Sequence, residues 1–395
     1  MNKILNYISD QFVFLNLKKI SNGYLNLVDA REKEYFFGDS RSFLKAKLKI
    51  NNPNFCFNIL RKGSSGLAES YMNGEFETDN LTSLIELSAK NINITHKFSG
   101  FFQFSLLENF LKRNIFNNTK ERSKKNISLH YDLGNEFFST WLDKTLTYSC
   151  GIFNSSSETL EKAQINKYNK LINMVKPRNG DKILEIGCGW GGFAVHLAKN
   201  YDIKLDCITI SKKQFLFTKE RIRKEGLTHK VNVKMIDYRD VKYKYDIIVS
   251  IEMIEAVGEK YLDEYFYTIK KNLVSGGRAA IQAIIIKDEL YDRYRNKEDF
   301  IQKYIFPGGF LPSFKSLNKL SHESGLKIDG YHLYGSHYSN TLQKWRESFL
   351  GSWDLISRQG FNSSFKKLWD FYFSYCDAGF KSKNIDLIQF SLCNK

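Results

Sequence analysis

A glycine-rich stretch at residues 187–192 has the composition of a ligand-binding loop. Four of its six residues are glycine, and it lies between an apolar run at 182–186 and a segment of helical periodicity. Glycine tolerates a positive φ and lets the backbone approach a ligand closely, as a nucleotide-type loop requires. The spacing Gly187-x-Gly189-x-Gly191 differs from the G-x-G-x-x-G fingerprint of dinucleotide sites. The loop therefore favours a ligand other than a dinucleotide.

An acidic residue before the loop and the residues at the end of the next strand limit further which class of ligand the loop can bind. Glu185 stands two residues before Gly187, a pattern that resembles the S-adenosylmethionine loop of Rossmann-like methyltransferases. In such folds the second strand commonly ends in a carboxylate that binds the ribose hydroxyls, but here Ile208-Thr-Ile-Ser-Lys-Lys-Gln214 contains none. The hydroxyl of Thr209 and the amide of Gln214 can donate and accept hydrogen bonds in its place.

The elements that position this loop alternate between strand and helix patterns from about residue 180 onward. Strands are predicted at 182–186, 205–210, 231–236, 245–250, 277–284, 326–333 and 385–392, with helices starting at 193 and 212. This order is typical of a doubly wound α/β sheet. Aromatic-rich helical sequence at 345–353 and 365–375 is suited to roofing a pocket.

The first part of the chain is different in character. Residues 1–120 are predicted to form a small α+β domain that docks on membrane or substrate, and 121–395 to form the catalytic domain. At the boundary, an apolar segment at 98–110 precedes a stretch at 112–125 with six basic residues and the single acidic Glu121. An apolar segment followed by a basic one is suited to binding anionic phospholipid, with each basic residue contributing roughly 1 kcal/mol to the binding free energy. An interdomain helix followed by a solvated linker explains it equally well.

The amino-acid composition limits the class of protein and the kinds of partner to be expected. The 395 residues are 42% hydrophobic and 26% charged, which indicates a folded globular chain. The net charge of +16 points toward a polyanion, either nucleic acid or anionic lipid. Aromatic residues make up 15%, which suggests an apolar or cation-facing cavity.

Cysteine and histidine usage points away from metal and disulfide chemistry. The six cysteines are scattered without a CxxC pair, and the histidines form no spaced cluster, so neither disulfides nor a metal site is predicted. No signal peptide and no run of 18 apolar residues is recognised. The protein is expected to be cytoplasmic and at most peripherally membrane-associated.

Eight ordered segments resemble the cyclopropane-fatty-acyl-phospholipid synthase family. They are 126–138, 147–153, the glycine loop, 208–214, 237–240, 252–258, 304–312 and 337–342, and residues 67–76 are similar to that family's first domain. The resemblance implies a Rossmann-like class I methyltransferase with a mostly parallel seven-stranded sheet. It also implies methyl transfer from S-adenosylmethionine to a cis double bond of a phospholipid acyl chain at the membrane surface, anionic lipid being favoured.

Such a reaction needs an apolar pocket that aligns donor and alkene, aromatic faces for the carbocation, and a base. Proton loss from the transferred methyl group gives a cyclopropane. Loss from a neighbouring carbon gives a methylene- or methyl-branched chain. The sequence leaves the product, the head group and a homodimer open.

The resemblance also implies a set of site residues. Bicarbonate, the family's base, would be held by Cys150, Glu255, Tyr338 and the backbone of Ile284, with Gln282 where the family has histidine. Because glutamine carries no proton to shuttle, bicarbonate is in doubt and more of the proton removal rests on Glu255. Glu255→Gln is then predicted nearly to abolish turnover without affecting cofactor binding. The cofactor residues implied are Tyr148, Ser149, Glu185, Gly187, Cys188, Gly189, Trp190, Gly191, Thr209, Gln214, Asp237 and Tyr238.

This glutamine form resembles a branch that includes plant-type cyclopropane synthases and actinobacterial enzymes that make methylene-branched chains. Two other classes of protein are compatible with parts of the sequence. A nucleic-acid methyltransferase suits the charge, but neither an Asn-Pro-Pro-aromatic motif nor a cysteine after proline is present. A non-catalytic lipid-binding protein would be expected to lose the glycine loop or Glu255, and both are intact.

Overall fold

The computed structural model describes residues 3–95, 118–123, 126 and 133–394. Within these residues the strands, β1 to β11 in chain order, are Tyr24–Val28, Glu34–Gly38, Lys45–Ile50, Phe76–Glu77, Lys182–Ile186, Lys204–Thr209, Val231–Met235, Tyr245–Ile251, Leu273–Ile286, Lys327–Leu333 and Ile385–Cys393. The α-helices are Lys3–Leu17, Phe55–Met72, Leu81–Lys90, Ile92–Thr95, Asn135–Trp141, Leu160–Val175, Gly192–Asn200, Lys212–Lys224, Leu262–Asn272, Asp288–Tyr294, Phe300–Tyr304, Phe314–Glu323, Gly335–Gly351, Trp353–Arg358 and Ser363–Lys381. Short 3₁₀ helices occur at Tyr238–Asp240, Ile254–Ala256 and Glu259–Tyr261.

Two features singled out in the sequence fall largely outside the described residues. These are the apolar segment 98–110 and most of the basic stretch 112–125. Among the helices that the structure describes, none is long and apolar enough to cross a membrane.

The chain divides into two compact units, and the described part of the first consists of residues 3–95, 296–305 and 353–384. Its sheet has the order β2-β1-β3-β4, in which β1 is antiparallel to β2 and parallel to β3. The alternation Lys-Ala-Lys-Leu-Lys-Ile in β3 buries Ala46, Leu48 and Ile50 on one face. This unit is α+β, as the sequence predicts.

The helix Ser363–Lys381 belongs to this first unit rather than to the catalytic one in which the sequence placed it. Its Phe371 ring packs 4.8 Å from the Phe300 ring and 6.0 Å from that of Tyr71, centroid to centroid. The aromatic residues of 365–375 therefore serve the core of the first unit, and local periodicity could not reveal which unit they join.

The described part of the second unit consists of residues 118–123, 126, 133–295, 306–352 and 385–394. Its seven strands have the order β10-β11-β9-β8-β5-β6-β7, and β11 alone runs antiparallel to its neighbours. Central strands such as β5 and β8 are buried along nearly their whole length because helices cover both faces of a parallel sheet. The predicted doubly wound, mostly parallel seven-stranded sheet is confirmed.

The strand order reverses between β5 and β8. From β5 the chain adds β6 and β7 on one side, and then β8 and β9 on the other. Ligands of open α/β sheets bind at such a reversal, beyond the carboxyl ends of the strands. The glycine loop follows β5 there, and Glu252 follows β8.

Candidate active site

The glycine loop has the backbone that its composition predicts. Gly187, Gly189 and Gly191 have φ of 84°, 53° and 81°. The N–H groups of Gly187 and Cys188 both donate to the carbonyl oxygen of Ile208, at 3.0 and 3.1 Å, which ties the loop to the end of β6. A Cβ at Gly189 would meet no heavy atom of the described residues within 4 Å. The loop is thus anchored at its start and leaves open space at its centre.

Glu185 lies on β5 just before this loop and is buried. Its Oε2 accepts a hydrogen bond from the thiol of Cys207 on β6, at 3.3 Å. Burial raises the pKa of Glu185 to about 7, and the positive charge of Lys167 opposes the shift. A buried carboxyl that can be ionised near neutral pH is suited to a cationic ligand group.

Thr209 and Gln214 form a polar pair at the carboxyl end of β6. The hydroxyl of Thr209 donates to Oε1 of Gln214 at 3.0 Å and accepts from the backbone N–H of Ser211 at 3.2 Å. Ser211 caps the following helix by accepting from the N–H of Gln214. The structure therefore brings together the two side chains that the sequence proposed in place of a carboxylate.

Asp237 and Tyr238 follow β7. The carboxylate of Asp237 accepts from Nε and Nη2 of Arg239, at 2.8 and 2.7 Å, so its charge is neutralised within the protein. The Tyr238 ring is buried against that of Tyr265, and burial raises the pKa of the Tyr238 hydroxyl. Their role toward a cofactor stays a prediction.

An aromatic cluster surrounds Tyr148. Its ring lies 5.2 Å from Trp345, 5.4 Å from Phe138, 5.5 Å from Trp141 and 6.3 Å from Phe306, centroid to centroid. Trp190 of the glycine loop joins this cluster, since its ring is 4.9 Å from that of Phe138. The tyrosine is half-buried whereas Trp345 is fully buried, so the cluster presents Tyr148 to a partly accessible space.

Three of the predicted base-site residues converge on one carboxylate, that of Glu252. Its Oε1 accepts from the backbone N–H of Cys150 at 2.9 Å and from Nε2 of Gln282 at 2.7 Å. Its Oε2 accepts from the hydroxyl of Tyr338 at 2.5 Å. Gln282 is held in this orientation because its Oε1 accepts from Nε2 of Gln389 at 2.8 Å.

The other two predicted residues, Glu255 and Ile284, form a second pair. The N–H of Ile284 donates to Oε1 of Glu255 at 2.6 Å, while the buried Oε2 of Glu255 has no hydrogen-bond partner among the described residues. Burial raises the pKa of Glu255 to about 8, and the negative charge of Glu252 adds to the shift. Glu255 therefore holds its proton at neutral pH.

Lys167 adds a buried cation to the cluster. Its Nζ donates to Oγ of Ser149 at 2.7 Å. Burial lowers its pKa to about 8, and the charge of Glu252 counteracts that shift. The sequence reasoning placed neither Lys167 nor Glu252 in the site. A signal existed for Glu252, which opens the motif Glu-Met-Ile-Glu at the end of a predicted strand.

The family profile described as mycolic acid cyclopropane synthetase matches residues 118–390. This span covers most of the chain and nearly every residue of the cluster and the loop. The chain belongs to this family. The family and the S-adenosylmethionine-dependent enzyme class predicted from the sequence are thereby confirmed.

Two relatives extend the similarity into the amino-terminal part of the chain. The chain is 34% identical to the cyclopropane-fatty-acyl-phospholipid synthase of Escherichia coli, over 87% of each chain. It is also 34% identical to the tuberculostearic acid methyltransferase UfaA1 of Mycobacterium tuberculosis, over 85% of this chain and 80% of that one.

Solved members of the family have the same fold. The cyclopropane synthase MmaA2 from Mycobacterium tuberculosis matches with a TM-score of 0.64 at 26% identity, covering 68% of this chain and 98% of that one. The mycolic acid cyclopropane synthase CmaA1, complexed with SAH and CTAB, gives the same TM-score, identity and coverage.

Proposed function

We propose that this protein transfers the methyl group of S-adenosylmethionine to the cis double bond of an unsaturated phospholipid acyl chain and closes a cyclopropane ring. The observation that carries the proposal is the close packing against Gly187 of Met253, the residue that links Glu252 to the short helix Ile254–Ala256 carrying Glu255. A Cβ at Gly187 would lie 2.7 Å from Cγ of Met253, which immediately follows Glu252. A ligand loop and a cluster with two buried carboxyl groups, Glu252 and Glu255, therefore lie at the same edge of the sheet. The similarity to the Escherichia coli synthase supports the same reaction.

The residues around the loop fit the methyl donor. When bound, S-adenosylmethionine supplies an electrophilic methyl group on a sulfonium. The open space at Gly189 allows close approach of a ligand to the backbone, and the buried carboxyl of Glu185 suits its charged amino-acid end. Thr209 and Gln214 present hydroxyl and amide groups where ribose hydroxyls are expected.

The aromatic cluster can stabilise the carbocation that forms in the reaction. An alkene that gains a methyl cation becomes a carbocation, which aromatic faces stabilise by about 2 kcal/mol when water is excluded. Tyr148 and Phe306 are the half-buried members of the cluster, and the buried rings of Phe138 and Trp345 fix the position of Tyr148. We infer that Tyr148 faces the cation.

The product follows from where the proton is lost. One methyl group enters the acyl chain and one proton leaves, so the chain gains one CH₂. Loss from the transferred methyl group closes the ring. Loss from a neighbouring chain carbon gives a methyl-branched alkene. A methylene branch forms when a hydride first moves from the methyl-bearing carbon to the cationic carbon and the methyl group then loses the proton, and a later reduction would convert it to a methyl branch. The similarity to the tuberculostearic acid methyltransferase supports this second product as the alternative.

A transfer experiment tests the proposal. Purified protein with methyl-labelled S-adenosylmethionine is expected to label vesicles of dioleoyl phosphatidylglycerol but not vesicles of its distearoyl analogue, because only the former offers an alkene. RNA serves as a control for the basic charge. Proton NMR of the extracted chains distinguishes a ring from a methylene group. Label in RNA, or equal label in saturated vesicles, would refute the function.

We propose further that the protein acts as a peripheral protein on the cytoplasmic face of an anionic membrane. The net charge of +16 and the basic stretch 112–125 support this placement. Binding to phosphatidylglycerol vesicles in a sedimentation assay is expected to weaken as salt rises, because the Debye length falls from about 10 Å at 0.1 M to about 3 Å at 1 M. Neutral phosphatidylcholine vesicles are the control. Binding that is insensitive to salt would contradict electrostatic docking.

A further inference from the structure

Glu252 is held in a strained backbone conformation directly after β8. Its φ is 49°, in the left-handed region that costs a residue with a Cβ roughly 1 to 2 kcal/mol. Its N–H donates to the carbonyl oxygen of Gln282 at 2.8 Å, which fixes the turn. Strain of this kind clusters at functional sites, where surrounding contacts over-determine the conformation. Here those contacts converge on the side chain itself.

The donors around Glu252 are the groups that the family resemblance assigns to bicarbonate. The N–H of Cys150, the amide of Gln282 and the hydroxyl of Tyr338 all donate to the Glu252 carboxylate. The remaining donor, the N–H of Ile284, is used by Glu255. A bound bicarbonate would have to displace these bonds and add a negative charge beside two carboxyl groups. The residues present therefore do not fit bicarbonate.

Of the two carboxyl groups in this cluster, Glu252 is the one that carries the negative charge. It has three donors among the described residues, whereas Glu255 has one. Lys167 further stabilises the ionised form of Glu252. Two carboxyl groups this close share their protons unequally, and the one with more donors ionises first. Glu252 is accordingly the carboxylate and Glu255 the neutral acid at pH 7.

The neighbours of Glu252 are poor proton acceptors. Burial raises the pKa of the Cys150 thiol well above its usual value, so this thiol stays protonated. Gln282 has no basic atom near neutral pH, and Lys167 is largely protonated at pH 7. Burial also raises the pKa of Glu252, which makes it a stronger base than an exposed carboxylate. Its Oε2 has a single donor among the described residues, so a lone pair remains for a further proton.

We propose that Glu252 is the base of this enzyme, a carboxylate of the chain in place of a bound anion. The proposal rests on the methyl-transfer function above. A C–H bond of the transferred methyl group breaks, and its electron pair forms the second ring bond at the cationic carbon. The proton passes to Oε2 of Glu252. The neutral carboxyl then releases that proton to water before the next turnover.

Two variants and a control test this assignment. Glu252→Gln keeps the shape but not the basicity, and turnover on dioleoyl vesicles is expected to fall about 10²- to 10⁴-fold with unchanged affinity for S-adenosylmethionine. Glu252→Gly suits the positive φ and leaves a vacancy, so its turnover is expected to be lost in bicarbonate-free buffer and partly restored by bicarbonate or formate. Glu264→Gln, at an exposed carboxylate of the helix Leu262–Asn272, is expected to match the unmodified enzyme.

The unmodified enzyme is expected to keep full turnover when bicarbonate is removed. Loss of its turnover under that condition, or full turnover by Glu252→Gln, would overturn the assignment. Binding of ¹³C-bicarbonate followed by NMR needs no turnover. It is expected for Glu252→Gly and not for the unmodified chain, and binding to the latter at this site would contradict the inference. If the unmodified enzyme labels no lipid, the proposed function fails, and the NMR result still decides whether Glu252 fills the anion position.

Discussion

Replacing Glu255 by glutamine is expected to stabilise the folded protein at pH 8, on the order of 4 kcal/mol. Burial and the charge of Glu252 raise the pKa of Glu255 from 4.5 to about 8. Between these pH values the unfolded chain loses the proton while the folded chain keeps it. The free energy of unfolding therefore falls as pH rises through this window. Glutamine has no proton to lose, and its Oε1 can still accept from the N–H of Ile284.

Urea unfolding at pH 5 and pH 8 measures this effect. The gain is expected to be small at pH 5 and large at pH 8, and Glu264→Gln, at an exposed carboxylate, should show neither. A gain of equal size at both pH values would mean that packing, not titration, is responsible. A loss of stability at pH 8 would contradict the shifted pKa.

Turnover of the same variant separates the two carboxyl groups. Because an amide resembles the neutral carboxyl that Glu255 presents at pH 7, Glu255→Gln is expected to lose less turnover than Glu252→Gln. The sequence alone predicts near abolition. The difference comes from Glu252, a second carboxylate in the motif Glu-Met-Ile-Glu, whose contacts with Cys150 and Tyr338 only the structure shows.

The strands were predictable where both faces are covered. The strand predicted at 182–186 coincides with β5, because Ile183, Leu184 and Ile186 supply the apolar side chains that a central parallel strand buries. The start of β9 was missed, since the sequence predicts a strand from 277 and the structure begins it at Leu273. Gly276 and Gly277 interrupt the apolar pattern as a turn would. The prediction of a doubly wound, mostly parallel sheet depended on the alternation of strand and helix patterns, which an error of a few residues at one strand end does not change.

Sequence motifs predicted several residues of the site but not the group around which they are arranged. Cys150, Gln282 and Tyr338 do converge, although 188 positions separate the first from the last in the sequence. These three residues donate to the carboxylate of Glu252, whose position depends on its φ of 49°. A positive φ at a glutamate has no sequence signature. The burial of Lys167 could not be predicted from the sequence either, since this residue lies on a helix whose pattern resembles that of any amphipathic helix.

Gly189→Ala is expected to raise the Kd for S-adenosylmethionine at least about tenfold, which corresponds to roughly 1.4 kcal/mol. The φ of 53° makes alanine cost roughly 1 to 2 kcal/mol of stability. A Cβ there meets no described protein atom within 4 Å, so it enters only the space that we assign to the donor. Isothermal titration with S-adenosylhomocysteine, which carries no methyl group to transfer, measures the change without turnover.

Gly226→Ala separates ligand contact from backbone strain. Gly226 follows the helix Lys212–Lys224 with φ of 70°, and a Cβ there also meets nothing within 4 Å among the described atoms. Both variants should therefore lose similar stability in urea unfolding, while only Gly189→Ala loses affinity for the ligand. Equal affinities would place the donor elsewhere, because steric exclusion at the loop is the one property that the two glycines do not share.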